Sequence, residues 1–346
     1  MYISRKKIFY PISEGLRRYL HHYDRETKLP VHYEDLLHYT DSFPYYDKKG
    51  QDTLWESVMY EQQTQQELNT GLTMIYALLK TDGDMSVMEH LYVSRIDYCT
   101  FGNSHPWRVQ IMNQLNDNYD YFYVKRADAS RVYGLELEHI LSPSRINYLV
   151  DGDTIIEEHI AGIPGDVFIK EVLERKATNK VRIAKEFVKF NERCFIRLLG
   201  DMRAYNYVVD VTPDFEDEQY RVRPIDFDQQ SYEGRKTMYL PQFFKDNNPL
   251  VALVTKLLKP ETVKQYQNEE RTLMFRRLRS ARYRLKDLID CMRRDTVSTP
   301  EKLAQLKEEL ARHHHSNEFL RCNNMGDLVR LHLKVILTKT PKGKRL

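Results

Sequence analysis

Residues 197–230 read Arg197-Leu198-Leu199-Gly200-Asp201-Met202-Arg203-Ala204-Tyr205-Asn206-Tyr207-Val208-Val209-Asp210, then a polar turn from Pro213 to Glu218, then Tyr220-Arg221-Val222-Arg223-Pro224-Ile225-Asp226-Phe227-Asp228-Gln229-Gln230. Asp201 and Asn206 stand five apart in a short loop. An apolar run follows it, the turn rich in Pro, Asp and Glu reverses the chain, and a second strand-like run ends at Asp226, with Asp228 two residues on. Two strands returning on each other bring Asp201, Asn206 and Asp226 to one end of a hairpin. Two carboxylates and a carboxamide there can hold a hard cation such as Mg²⁺, which takes oxygen ligands. They can equally orient a hydroxyl. Both are the equipment of phosphoryl transfer, where a protein mainly positions groups and neutralises charge.

The run Asp201-x-x-x-x-Asn206, the hairpin, and Ile225-Asp226-Phe227-Asp228 resemble the catalytic and metal loops of the protein-kinase-like fold. They are closer to its aminoglycoside phosphotransferase and choline kinase branch, which writes the loop as Gly-Asp-x-x-x-x-Asn and does not require Gly after Asp-Phe. The resemblance implies an α+β, bilobal protein-kinase-like fold, with a small antiparallel sheet lobe and a helical lobe. It implies ATP and Mg²⁺ as cofactors, Asp201 as catalytic base, and Asn206 and Asp226 as metal ligands. Asp228 is expected to bind a second ion or bridge to the first. Leu199 departs from the pattern, standing where the family usually has His before Gly-Asp.

The chain upstream presents elements in the order that resemblance requires. Leu91–Tyr98, Trp107–Met112 and Tyr121–Lys125 alternate like strands, with turns between them, and predict an antiparallel meander. Lys125 ends the third strand and is implied to pair with nucleotide phosphates and a helix glutamate. The helix Arg131–Ile140 offers Glu136 and Glu138, of which only one can face the lysine, because residues two apart diverge on a helix. The turn at Gly102 would cover the phosphates, through backbone amides of Asn103 and Ser104. It lacks a Gly-x-Gly-x-x-Gly loop and reads equally as a plain hairpin turn. Ile146–Val150 and Thr154–Gly162 read as two more strands leading to a hinge, whose backbone at Glu158, His159 and Ile160 is implied to meet the adenine edge. Asp166–Arg175 and Asn179–Leu198 read as helices, the second delivering the chain to Gly200-Asp201.

Bulk properties bound the rest. At 346 residues the chain has room for one large bilobal domain or two smaller ones. Its 13 Gly and 13 Pro are few for that length, which argues against long disordered linkers. Four scattered cysteines form neither a disulfide framework nor a zinc site and fit a reducing cytoplasm. No stretch reads as a signal peptide or a membrane span. Residues 1–88 are predicted to be a helical N-terminal extension, including one long helix over Trp55–Leu79. Residues 89–162 are expected to form the sheet lobe with its helix. Residues 163–346 are expected to form the helical lobe, which carries the catalytic hairpin 197–230. Thr299-Pro300-Glu301 marks a helix start, and His313-His314-His315 a solvated helix end.

Two further functions compete with an ATP-dependent phosphotransferase acting on a hydroxyl-bearing acceptor. A catalytically weak nucleotide-binding scaffold is favoured by the missing glycines, by Leu199 and by the large terminal helical regions. A nucleic-acid binder would use the basic face around Arg276 to Arg294; a formal net charge of only +3 and the apolar stripe on the same helix argue against it.

Overall fold

Strand alternation from Leu91 onward is realised in one antiparallel sheet larger than the meander alone. The computed structural model describes residues 7–47, 49–81, 83–100, 104–214 and 217–338. These fall into two compact units. The first comprises the residues up to Asp128 together with Ile146–His159. Its helices are α1 (Glu14–His22) and α2 (Gln62–Lys80). Its strands are β1 (Asp41–Tyr46), β2 (Asp52–Met59), β3 (Leu91–Cys99), β4 (Trp107–Asn113), β5 (Tyr119–Arg126), β6 (Tyr148–Asp151) and β7 (Thr154–Glu158). They form a seven-stranded sheet in the order β1-β2-β3-β4-β5-β7-β6, with every neighbouring pair antiparallel.

Helix α2 covers one face of this sheet. Leu68, Leu72, Ile75 and Leu79 recur at spacings of three and four and pack with Val93, Ile96, Val109, Ile111, Phe122 and Val124. Each such side chain contributes on the order of 1.5–3 kcal/mol when fully buried.

The expected helical extension over 1–88 is corrected here. Residues 41–59 supply the edge strand β1 and its neighbour β2, and the helix expected from Trp55 begins only at Gln62. Trp55, Val58 and Met59 satisfy a helical spacing and also lie in a β-favouring run, so periodicity alone does not separate the two states. Pairing decides: Trp55 lies opposite Cys99 and Ser57 opposite Asp97, and the Ser57 hydroxyl donates to the buried Asp97 carboxylate at 2.7 Å.

The second unit comprises Ala129–Arg145 and the chain from Ile160 onward. It contains α3 (Ala129–Leu141), β8 (Ile163–Pro164), α4 (Gly165–Val167), α5 (Lys180–Arg197), β9 (Tyr207–Asp214) and β10 (Asp217–Pro224). After these come α6 (Asn248–Leu257), α7 (Pro260–Ser280), α8 (Arg282–Met292), α9 (Pro300–His314) and α10 (Met325–Thr338). The fold class is therefore α+β, with an antiparallel sheet in one unit and mainly helices in the other, as expected.

Two boundaries shift. Helix α3 was expected in the sheet lobe but clusters with the helical unit, since its buried charges find partners there. Asp166–Arg175 is not one regular helix: α4 runs into a π turn over Phe168–Val172.

Local signals behave as their chemistry dictates. The Asn179 side chain caps α5, accepting from the Arg182 N–H at 3.1 Å. Thr299 caps α9, with Pro300 in its first turn. The histidine run is only partly solvated. His313 and His315 are exposed, but His314 turns inward to the fully buried His332, at 3.1 Å between ring nitrogens. His332 Nε2 faces the Phe195 carbonyl at 3.0 Å, so Nε2 carries the proton and Nδ1 accepts from His314.

Burial pushes the His332 pKa down to about 3, with the neighbouring His314 adding to the fall. The unfolded chain therefore binds the extra proton first. This group's stabilisation is complete above pH 6.5 and is lost as the pH falls from there towards 3. Denaturant unfolding at successive pH values should show about 1.4 kcal/mol lost per pH unit from this residue below pH 6. His332→Leu should flatten that slope, and an unchanged slope would contradict the assignment.

Candidate active site

Helix α5 ends because Leu198 adopts the left-handed conformation, φ 55°, and turns the chain out of the helix. The next residues are stitched to the segment after the hairpin. The Gly200 N–H donates to the Gln229 carbonyl at 3.2 Å and the Ser231 N–H to the Leu198 carbonyl at 2.8 Å. The Gln230 side-chain amide donates to the Arg197 carbonyl at 2.6 Å. A Cβ on Gly200 would sit 3.1 Å from the Gln229 carbonyl oxygen, so a larger residue would crowd this junction.

Asp201 is itself left-handed, φ 57°, and its N–H donates to the Met238 carbonyl at 3.0 Å. Such a conformation is uncommon outside glycine, Asn and Asp, and its cost is carried by the hydrogen bonds around it. The Asn206 carboxamide donates through Nδ2 to the Asp201 carbonyl at 2.8 Å, which closes the loop and turns Oδ1 the other way. The β9–β10 register places Tyr207 opposite Pro224, and the Ile225 N–H then donates to the Asn206 carbonyl at 3.0 Å. The predicted hairpin thus brings the Asn206 and Asp226 segments to one end, beside the Asp201 loop.

That proximity has an electrostatic consequence. Burial first, and then the Asp226 and Glu233 carboxylates, push the Asp201 carboxyl up to about 6. Arg203 works against them, holding an Asp201 oxygen at 3.0 Å. A carboxyl poised near 6 exchanges protons close to neutral pH, as a general base must.

Arg131, on α3, was not singled out by the sequence reading. Its side chain is 2% exposed and bridges both expected metal-ligand carboxylates, 2.8 Å from Asp226 and 2.7 Å from Asp228. Asp226 also accepts from the Asp228 N–H at 3.1 Å. Helix α3 can approach this closely because residue 134 is glycine; a Cβ there would lie 2.9 Å from the Phe227 Cβ and 3.2 Å from the Gln230 Cβ. A buried arginine looks like any surface arginine in sequence, and only the Gly134 gap hints that this helix lies against something.

The expected lysine brace is corrected. Lys125 pairs with Glu157 at 2.8 Å, a diagonal neighbour across β5 and β7 on the same face of the sheet. Glu136 holds Arg284 through both carboxylate oxygens, at 2.9 and 3.0 Å. Glu138 pairs with the buried Arg197.

The hinge amides are also committed. The Glu158 N–H donates to Asn147 and the His159 N–H to the Tyr121 carbonyl, at 3.1 and 3.3 Å, so neither is oriented towards an adenine edge. Ile160 is buried and clusters with the helical unit. Of the phosphate turn, Ser104 is half-buried, while Gly102 and Asn103 lie outside the described residues.

Asn206 and Asp226 are oxygen donors of the kind a hard cation takes, though Arg131 already draws on Asp226. Among the described residues no group of three or more His, Cys, Asp or Glu is arranged to hold a metal ion, and no helix is long and apolar enough to cross a membrane.

No family model matches the chain, and no curated protein matches it. Among solved structures it is similar to one described as titin kinase and its flanking domains, at 13% identity and a TM-score of 0.28. That match covers 72% of this chain and 55% of the other. A likeness this weak carries no argument about function.

Gly134→Ala should overpack the contact between α3 and the segment around Phe227, costing about 1–3 kcal/mol of stability. Denaturant unfolding reads the change, and a loss indistinguishable from zero would contradict the described contact.

Proposed function

We propose that the chain is a kinase-like phosphotransferase that moves the γ-phosphoryl group of ATP to the hydroxyl of an acceptor. The observation that carries this reading is the Asp201 loop beside Asp226: Asn206 pins the Asp201 main-chain carbonyl, and the Asp201 carboxyl is pushed up to about 6. Asp201 would align the acceptor hydroxyl and take its proton as the oxygen attacks phosphorus. Arg203 keeps the carboxyl from rising further and so preserves its base form at neutral pH. Magnesium, held by Asn206 and Asp226 with Asp228 beside them, would neutralise charge on the phosphate oxygens. Lys125 is the cation this reading assigns to orienting phosphates. The order of elements supports it: a meander, a helix, a strand pair, a long helix and then the catalytic hairpin.

A second reading, a nucleotide-binding scaffold with weak catalysis, is favoured by the same carboxylates' pairing with Arg131 and by Lys125's pairing with Glu157.

ADP release in the presence of Mg²⁺ and a panel of hydroxyl acceptors separates the two. Turnover should rise with pH as Asp201 loses its proton and then level off, with its midpoint at or below about 6 because Mg²⁺ on Asp226 offsets a charge that raises Asp201. Asp201→Asn should reduce kcat by roughly 10²–10⁴ while ATP affinity stays within a few-fold. Near-normal turnover in that variant would defeat the catalytic assignment. ATP binding without turnover in the native chain at pH 7–8 would favour the scaffold.

A further inference from the structure

Arg131 is not a surface ion-pair partner. It projects from a helix almost wholly buried along its length, and its own side chain is 2% exposed. Two nitrogens of one planar guanidinium reach two different carboxylates, Nη2 to Asp226 at 2.8 Å and Nε to Asp228 at 2.7 Å. Asp226 and Asp228 are two residues apart, and the Asp228 N–H folds back onto the same Asp226 oxygen that Arg131 holds. The guanidinium therefore closes a ring of charge-assisted hydrogen bonds, which are about twice as strong as neutral ones. Its placement is fixed from the backbone, because Gly134, one helical turn along, lies against Phe227 and Gln230.

We propose that the guanidinium of Arg131 competes with a divalent cation for Asp226 and Asp228 and so sets the cation affinity of this site. The inference rests on Asp226 being a cation ligand, as the proposed function has it. Three physical facts lead there. Arg131 supplies positive charge where a cation would supply it. It engages the lone pairs that a cation would use; Mg²⁺ takes oxygens at about 2.0–2.1 Å in near-octahedral geometry and tolerates little displacement. It also repels the incoming ion, in surroundings where charge is poorly screened. A cation can enter only as the fork lets go of one or both carboxylates. The arginine is thus a positioning and specificity-determining residue: a dication must outcompete a built-in monocation.

Mn²⁺ binding to the full chain, followed by electron paramagnetic resonance of the free ion without nucleotide, tests this independently of turnover. Arg131→Gln removes the charge and keeps hydrogen-bonding capacity. It should bind Mn²⁺ at least about tenfold more tightly than the native chain, a difference of about 1.4 kcal/mol. The gain should vanish in Arg131→Gln/Asp226→Asn. Mn²⁺ should also raise the Tm of Arg131→Gln more than that of the native chain.

Equal affinity in the native chain and Arg131→Gln, lost from both with Asp226→Asn, would overturn the competition while leaving Asp226 a cation ligand. Absence of binding at millimolar Mn²⁺ in both would overturn the competition and the ligand reading together. Should Arg131→Gln fail to fold, Arg131→Lys decides. It keeps the charge but cannot span both carboxylates, so about a threefold gain is expected, and affinity equal to the native chain's would overturn the proposal.

Discussion

The contact on which the rest of the helical unit turns is the buried guanidinium of Arg131 between Asp226 and Asp228. A charge taken out of water is tolerated only when it is paired and its donors are satisfied. Meeting that condition ties α3 to the end of the hairpin. Gly134 makes the same junction sterically possible, and Gln230, just beyond it, holds the end of α5 through the Arg197 carbonyl. Helix, hairpin end and Asp201 loop are thereby one connected arrangement, and moving one disturbs the hydrogen bonds of the others. Other acidic side chains of α3 are held in the same way, Glu136 by Arg284 and Glu138 by Arg197. This is why the helix belongs with the helical unit rather than with the sheet.

Asp201 gains its chemistry from the same arrangement. A carboxyl in water titrates near 4 and is too weak a base to accept a proton efficiently at neutral pH. Burial raises it, neighbouring carboxylates raise it further, and Arg203 stops the rise at about 6. The left-handed turn at Asp201 and the Asn206 amide on its carbonyl fix where the carboxyl stands. Positioning comes from the loop 201–206 and the raised basicity from burial and carboxylates outside it, which together are what the proposed reaction would need.

How much of this was legible in sequence divides along physical lines. The hairpin could be read because it is local: two β-favouring runs, an acidic turn between them, and polar residues just outside each run. The cap at Thr299 was legible for the same reason, since a side chain bonding a backbone three residues on needs no tertiary partner. Strand β2 was missed because Trp55, Val58 and Met59 fit a helical period, and only pairing with β3 selects the strand. The charged residues of α3 were misassigned for a deeper reason. A sequence shows which residues can form ion pairs but not which of the many available partners lies nearest. Lys125 found Glu157 through strand register, and Glu136 found Arg284 from 148 positions away. The main-chain amides of Glu158 and His159 are likewise taken up by the carbonyls of Asn147 and Tyr121, partners that the sequence does not reveal.

The account's central claim is that Asp201 and Asp226, 25 positions apart in the chain, share one electrostatic environment. Carboxyl ¹³C titration of the native chain and of Asp226→Asn measures that directly. The account predicts an Asp201 pKa near 6 that falls when the Asp226 charge is removed. An Asp201 that titrates near 4 in both proteins, unmoved by the substitution, would contradict it.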